Sequence, residues 1–220
     1  MKKELKDFLI GLSVLLLYLL SSFISLLILS LLHISFNTET QKIIYNLFYE
    51  FILILIIIFI YRKTIINNIK NFKKNYFSYI RYWIIALILM LISNIIINMI
   101  TNIDTSSNQN IIINTFKKAP IYTTILACLY APILEELVFR LSIRKMFKTN
   151  IIFIIISGLL FGFMHVSNPS SILELLYIIP YSIPGFIFAY TLTKSNNIIV
   201  PIGLHFLHNT LMIIIQFILI

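Results

Sequence analysis

The sequence predicts an all-α protein, a polytopic transmembrane helix bundle of about seven or eight spans, on three observations. The hydrophobic set makes up 60% of the 220 residues and charged residues only 11%, whereas a soluble domain carries about 25% charged residues and under half apolar ones. Mean hydropathy is +0.98. The charges are clustered, which leaves apolar runs close to the ~20 residues needed to cross ~30 Å of hydrocarbon. This composition excludes a soluble globule and a disordered chain. Five Gly with no period exclude a collagen-like fibre. Cys128, the single cysteine, lies inside an apolar run, so neither a disulfide framework nor a cysteine metal cluster is available.

The first apolar run follows a basic start, as in a signal peptide. It is too long for a signal h-region and no small-x-small cleavage site follows, so 8–32 reads as the first span. Further spans are expected at 43–61, 82–101, 120–139, 151–165, 172–192 and 198–220, the fifth being short. The inner loop 62–81 alternates Lys with Ile, Phe and Tyr. It reads as an ordinary topogenic basic loop, ahead of an interfacial segment lying on the anionic leaflet. The outer loop 102–118 is polar and reads as mobile, with Lys117 and Lys118 marking a re-entrant entry or an extra partial span.

The net charge of +9 needs no nucleic-acid partner. Of the seventeen basic residues, all but Lys42, Lys117 and Lys118 fall on one face of the membrane. The positive-inside rule then places the amino terminus in the cytoplasm.

Ionisable groups inside a span cost roughly 2.5–3.5 kcal/mol each on insertion scales, so they call for a reason. Three clusters stand out: Glu135-Glu136-Leu137-Val138-Phe139-Arg140, Phe161-Gly162-Phe163-Met164-His165 and His205-Phe206-Leu207-His208-Asn209. Glu136 and Arg140 are four apart and share a helix face, acid before base, which suits an ion pair. Glu135 points about 100° away around the helix and lacks a local partner, which makes it the candidate general base. His205 and Asn209, also four apart, set an imidazole beside an amide. Counted from the inner edge, Glu135 sits about 13 Å deep and His205 about 12 Å. His165, nearer 22 Å, fits only if its helix is tilted or starts shallower. Singly, each residue reads as interhelical hydrogen-bond glue about as well as function, whereas the set reads as functional. Glu50, Asn94 and Asn98 read as glue, His33 and Glu174 as interfacial residues at span ends, and His208 as either cavity-facing or a helix contact.

A carboxylate with a histidine can hold and deprotonate a water, while a second histidine and an amide donate to an oxyanion. That combination is amide hydrolysis without a covalent intermediate. The same Glu and His residues could instead ligate a divalent metal that activates the water, through Glu135, His165 and His205. Neither a His-Glu-x-x-His nor a Gly-x-Ser-x-Gly motif is present.

The three clusters, in this order and on hydrophobic helices, resemble the CPBP family of CAAX proteases and bacteriocin-processing enzymes, also called Abi. Its motifs are Glu-Glu-x-x-x-Arg, Phe-x-x-x-His and His-x-x-x-Asn. The likeness covers about 121–220, and the flanking Ala131-Pro132 and Phe139 also match. It divides the chain into 1–118, amino-terminal helices and basic loop without a signature, and 119–220, the motif-bearing core. It implies an intramembrane endopeptidase acting on a membrane-embedded or membrane-associated peptide. Glu135 and His165 would activate water, His205 and Asn209 would stabilise the oxyanion, and Glu136 and Arg140 would organise the site. A metal-free, glutamate-dependent mechanism is the favoured expectation. The wealth of Ile, Lys and Asn suggests an AT-rich bacterial genome and a bacterial plasma membrane, so CAAX cleavage itself is not expected. Two rivals remain: a non-catalytic self-immunity or partner-binding protein of the same family, and, behind it, a small transporter with Glu135 and Glu136 in an ion path.

Overall fold

A computed structural model describes residues 2–219. Eight helices follow in order: α1 (Lys2–Leu31), α2 (Glu39–Lys70), α3 (Ile80–Thr101), α4 (Ser107–Lys118), α5 (Pro120–Met146), α6 (Asn150–Met164), α7 (Ile178–Ser195) and α8 (Ile199–Leu219). Among the described residues there is no strand. Six helical segments, α1, α2, α3, α5, α7 with its lead-in turn, and α8, are long and apolar enough to cross a membrane. The seventh, α6, has 15 residues and reaches about 22 Å.

The helix ends are written locally. Thr38 and Gln41 form a capping box at the start of α2, with the Gln41 N–H on Thr38 Oγ1 at 3.2 Å and the Thr38 N–H on Gln41 Oε1 at 3.3 Å. Asn102 and Asn196 take the left-handed conformation that stops α3 and α7. The inner loop is shorter than the sequence suggested. α2 continues to Lys70, and a 3₁₀ turn at Lys74–Tyr79 leads straight into α3.

α5 is the centre of the bundle. Its Leu134, Leu137, Val138 and Phe139 pack with Val14 of α1, Ile57 of α2, Phe161 of α6 and Ala189 of α7 in one buried cluster. The outward faces carry large apolar side chains such as Leu16, Phe23, Phe59, Ile88 and Ile92, as a lipid-facing surface requires. α1 is tied to the carboxy-terminal end of α5 by Asp7, which pairs with Lys145 at 2.6 Å and Lys148 at 3.4 Å.

α6 and α7 meet at glycine. A Cβ at Gly158 would strike the Phe186 ring, and one at Gly162 would strike the Ser182 hydroxyl and stand 2.7 Å from the Ile178 carbonyl. A Cβ at Gly185 would stand 3.0 Å from the Gly158 Cα. Small residues of this kind let two backbones close up where lipid gives no hydrophobic drive. Gly162→Val should therefore cost about 1–3 kcal/mol through overpacking. Thermal unfolding in detergent, followed by a thiol-reactive dye on buried Cys128, reads this cost. An unchanged midpoint would show that the helices can separate freely.

The segment expected to be a mobile outer loop is instead largely α4. Ser106 caps it through the Gln109 N–H at 3.2 Å. Glu174, 1% exposed, holds it from across the bundle. Its carboxylate accepts from the Ser107 N–H, from Ser107 Oγ at 2.9 Å, and from the Ser170 N–H and hydroxyl at 2.7 Å each. Glu174 is thus a buried clamp at a helix N-terminus rather than an interfacial side chain. With bonds to a charged acceptor worth about 1.5–3 kcal/mol, Glu174→Ala should speed amide exchange across residues 105–110 by at least about tenfold. Hydrogen–deuterium exchange reads that directly, and unchanged protection would mean that α4 holds itself. Asn98 also serves the fold, accepting from the Tyr177 hydroxyl and donating to the Asp104 carbonyl.

Candidate active site

Two π-helical stretches interrupt α5, at Leu126–Tyr130 and Leu137–Ser142. π turns are rare and concentrate at functional sites, and here they flank the two glutamates. In the first stretch the Ala131 N–H reaches back to the Leu126 carbonyl. In that register the Ala127 carbonyl would be served by residue 132, which is proline and has no N–H. Asn209 of α8 supplies the missing donor, its Nδ2 lying 2.8 Å from the Ala127 oxygen. One proton of the Asn209 amide is fixed in this way, and the other is left to the cavity.

Glu136 and Arg140 are fully buried and pair in a fork, Nε to Oε2 at 2.9 Å and Nη2 to Oε1 at 3.2 Å. Arg140 Nη1 donates to Ser157 Oγ at 2.7 Å, and that hydroxyl donates to the Phe139 carbonyl at 2.7 Å. The guanidinium carbon lies 4.9 Å from the Phe161 ring centre and 5.8 Å from that of Phe188, in cation–π range. Each of the three guanidinium nitrogens has a partner, as a charge taken out of water requires.

Glu136 has a second role that sequence spacing did not give. Its Oε1 lies 2.9 Å from His205 Nδ1. A carboxylate of this kind only accepts, so Nδ1 carries the proton and the ring is held with Nε2 turned the other way. Nε2 points to Glu135, 4.0 Å from Oε2. The Glu135 side chain is 15% exposed where that of Glu136 is 0%, and among the described residues its Oε2 has no hydrogen-bond partner. Two adjacent carboxylates therefore differ sharply: one saturated with donors, the other facing an imidazole across a gap that a water can bridge.

His165 caps α6. Its Nδ1 meets the Phe161 carbonyl at 2.9 Å, which leaves the Nε2 lone pair outward in the neutral ring. The imidazole stacks on Tyr181, with ring centres 5.0 Å apart. Of the two candidate imidazoles, His205 is the one within ion-pair reach of Glu135. His165 joins the group through Phe161, whose ring centre is 4.6 Å from His165 and 5.6 Å from His205. Among the described residues, no three His, Cys, Asp or Glu side chains are placed to hold one metal ion.

Sequence reasoning missed Ser157, Phe188 and the Ala127 carbonyl. Only the last left a signal, the proline at 132.

The part of the chain that carries the three motifs also carries its likeness to known proteins. Residues 117–211 match the family described as Rce1-like, type II CAAX prenyl endopeptidase Rce1-like. The chain is 32% identical over 114 residues to "Putative membrane peptidase YdiL" of Bacillus subtilis (strain 168), covering 50% of this chain and 43% of that protein. It is 29% identical over 181 residues to an "Uncharacterized protein" of Mycoplasma capricolum subsp. capricolum (strain California kid), covering 73% of this chain and 52% of that one. The chain thus spans about half the length of the curated relatives it matches. No solved structure matches it at a significant level. With its apolar helices, this multi-pass membrane protein is similar, through residues 117–211, to the Rce1-like CAAX prenyl endopeptidase family.

Proposed function

We propose that the chain is an intramembrane endopeptidase that hydrolyses a peptide bond of a membrane-embedded or membrane-associated substrate with a water activated by Glu135. The observation that carries this reading is the unpartnered Glu135 Oε2 facing His205 Nε2 at 4.0 Å. Water bound at Glu135 gives up a proton to the carboxylate, with the His165 Nε2 lone pair helping to orient it. The hydroxide attacks the scissile carbonyl, and the oxyanion accepts hydrogen bonds from the free Asn209 N–H and from a His205 imidazolium, which keeps Nδ1–H on Glu136 and turns Nε2–H to the substrate. Collapse breaks the C–N bond, and the proton on Glu135 passes to the departing amine. Glu136 and Arg140 position His205 and stay outside proton transfer. No step is routed through a metal.

Location in a bacterial plasma membrane with a cytoplasmic amino terminus fits the basic inner face and the bacterial relatives. The test is a peptide library offered to the purified protein in detergent, with and without chelator, beside Glu135→Ala and His165→Ala. Cleavage that survives the chelator and is lost in both folded variants supports the reading. Cleavage retained in Glu135→Ala ends it, and cleavage abolished by chelator ends the metal-free form. A self-immunity or partner-binding role without catalysis predicts instead that Glu135→Gln keeps resistance to a peptide toxin intact.

Asn209→Ala should lower turnover by about 10²–10³, the usual loss for one oxyanion donor. It should also destabilise the fold by about 1–3 kcal/mol, because the Ala127 carbonyl is left unsatisfied. Adding Pro132→Ala restores a backbone donor and should recover the stability but not the turnover. Recovery of both, by thermal unfolding and peptide cleavage, would show that Asn209 serves only the helix.

A further inference from the structure

At the inner end of the bundle a cavity of about 490 Å³ opens between α2, α5 and α7, away from the glutamates. Lys63, Thr64, Asn67, Asn68, Arg144 and Thr193 supply its polar wall, and no carboxylate lines it. Its floor is fixed. Buried Asn68 accepts from the Ile198 N–H at 2.6 Å and, through its carbonyl, from Asn197 Nδ2 at 2.7 Å. Neither cation is neutralised among the described residues. Asp7, the acid nearest in the fold to this end of α5, is taken by Lys145 and Lys148. Arg144 uses one N–H on the Lys148 carbonyl at 2.9 Å and stacks over Phe153 at 5.3 Å, which leaves the rest of its fork for a ligand. Asn67 accepts through its side-chain oxygen from Asn71 Nδ2 at 3.0 Å, so its own amide protons are the ones left to donate.

A guanidinium fork, an ammonium and amide protons, rigidly based and without an opposing acid, make a donor set for a tetrahedral oxyanion. The position at the basic membrane face, where anionic headgroups gather, fits the same chemistry. The geometry points to a phosphate-binding site between Lys63 and Arg144, filled by the headgroup of an anionic phospholipid or by a soluble phosphate. The site lies apart from the hydrolytic residues, so its test is independent of the proposed peptidase activity.

The full chain in detergent is titrated with phosphatidylglycerol, with phosphatidylcholine and with inorganic phosphate, reading binding by native mass spectrometry and thermal shift. Wild type is compared with Lys63→Ala/Arg144→Ala. The control is Lys70→Ala/Lys73→Ala, which removes the same charge from the same face outside the cavity. At about 1 kcal/mol per basic contact, the cavity pair should lose about 30-fold in phosphatidylglycerol affinity while the control changes little. Phosphatidylglycerol binding lost only in the cavity pair assigns a lipid headgroup. A shift with inorganic phosphate that vanishes in that pair assigns a soluble phosphate. Equal losses in both pairs, or no preference for any phosphate anion over phosphatidylcholine, overturns the proposal. If the cavity pair does not fold, Lys63→Gln alone gives the same reading, with about a fivefold expected loss.

Discussion

Glu135→Gln should lower peptide cleavage by about 10²–10⁴, the range for removing a positioned proton acceptor, with thermal stability within about 0.5 kcal/mol of wild type or slightly above it. The two halves of this expectation come from one fact. Glu135 Oε2 has no hydrogen-bond partner among the described residues, so the amide breaks no described bond there, while the site loses an unengaged carboxylate facing His205. Glutamine keeps the shape and still contacts a water, but it cannot take the water's proton. The measurement pairs initial cleavage rates with an unfolding scan of the same sample. A strong loss of stability would mean that Glu135 is structural. A neutral variant that still cleaves would remove the proposed chemistry altogether.

Arg140→Met should do the reverse, acting on the fold first. Removing one member of a buried pair leaves an uncompensated charge, which costs about 3–5 kcal/mol. Here it also frees Ser157 and uncouples Glu136 from the cation that balances it while it holds His205. Glu136→Gln/Arg140→Met should regain a large part of this stability, since replacing both members of a buried pair is often nearly neutral. It should regain little cleavage, because an amide at 136 no longer holds His205 as a carboxylate does. Unfolding midpoints for the two singles and the double, with cleavage rates alongside, separate these effects. If the double variant is as unstable as Arg140→Met, the pair is not the source of the cost.

The legible parts of this chain are those that lipid dictates. Runs of Ile and Leu fix where α1, α2, α3 and α8 must lie, because hydrocarbon tolerates few alternatives. Polar residues placed in such runs are conspicuous for the same reason, which is how Glu135, Glu136, Arg140, His165, His205 and Asn209 could be named without coordinates. Helical spacing separated the two glutamates, one toward Arg140 and one away. It could not reveal the Glu136–His205 contact, which joins positions 69 residues apart and depends on how α8 docks on α5. The π turns were equally hidden, since a π turn uses the same residue types as an α turn. α4 was misread because its polar sequence resembles a loop, and the carboxylate that anchors it arrives from Glu174, far along the chain.

The glycine contacts between α6 and α7 carry a consequence for how a substrate gets in. Two backbones locked at Gly158, Gly162 and Gly185 behave as one slab, so Phe161 on one and Phe188 on the other, with ring centres 5.6 and 5.2 Å from that of His205, hold that ring between them. A peptide arriving sideways from the bilayer must therefore part some other seam, and the imidazole that receives it stays aimed throughout.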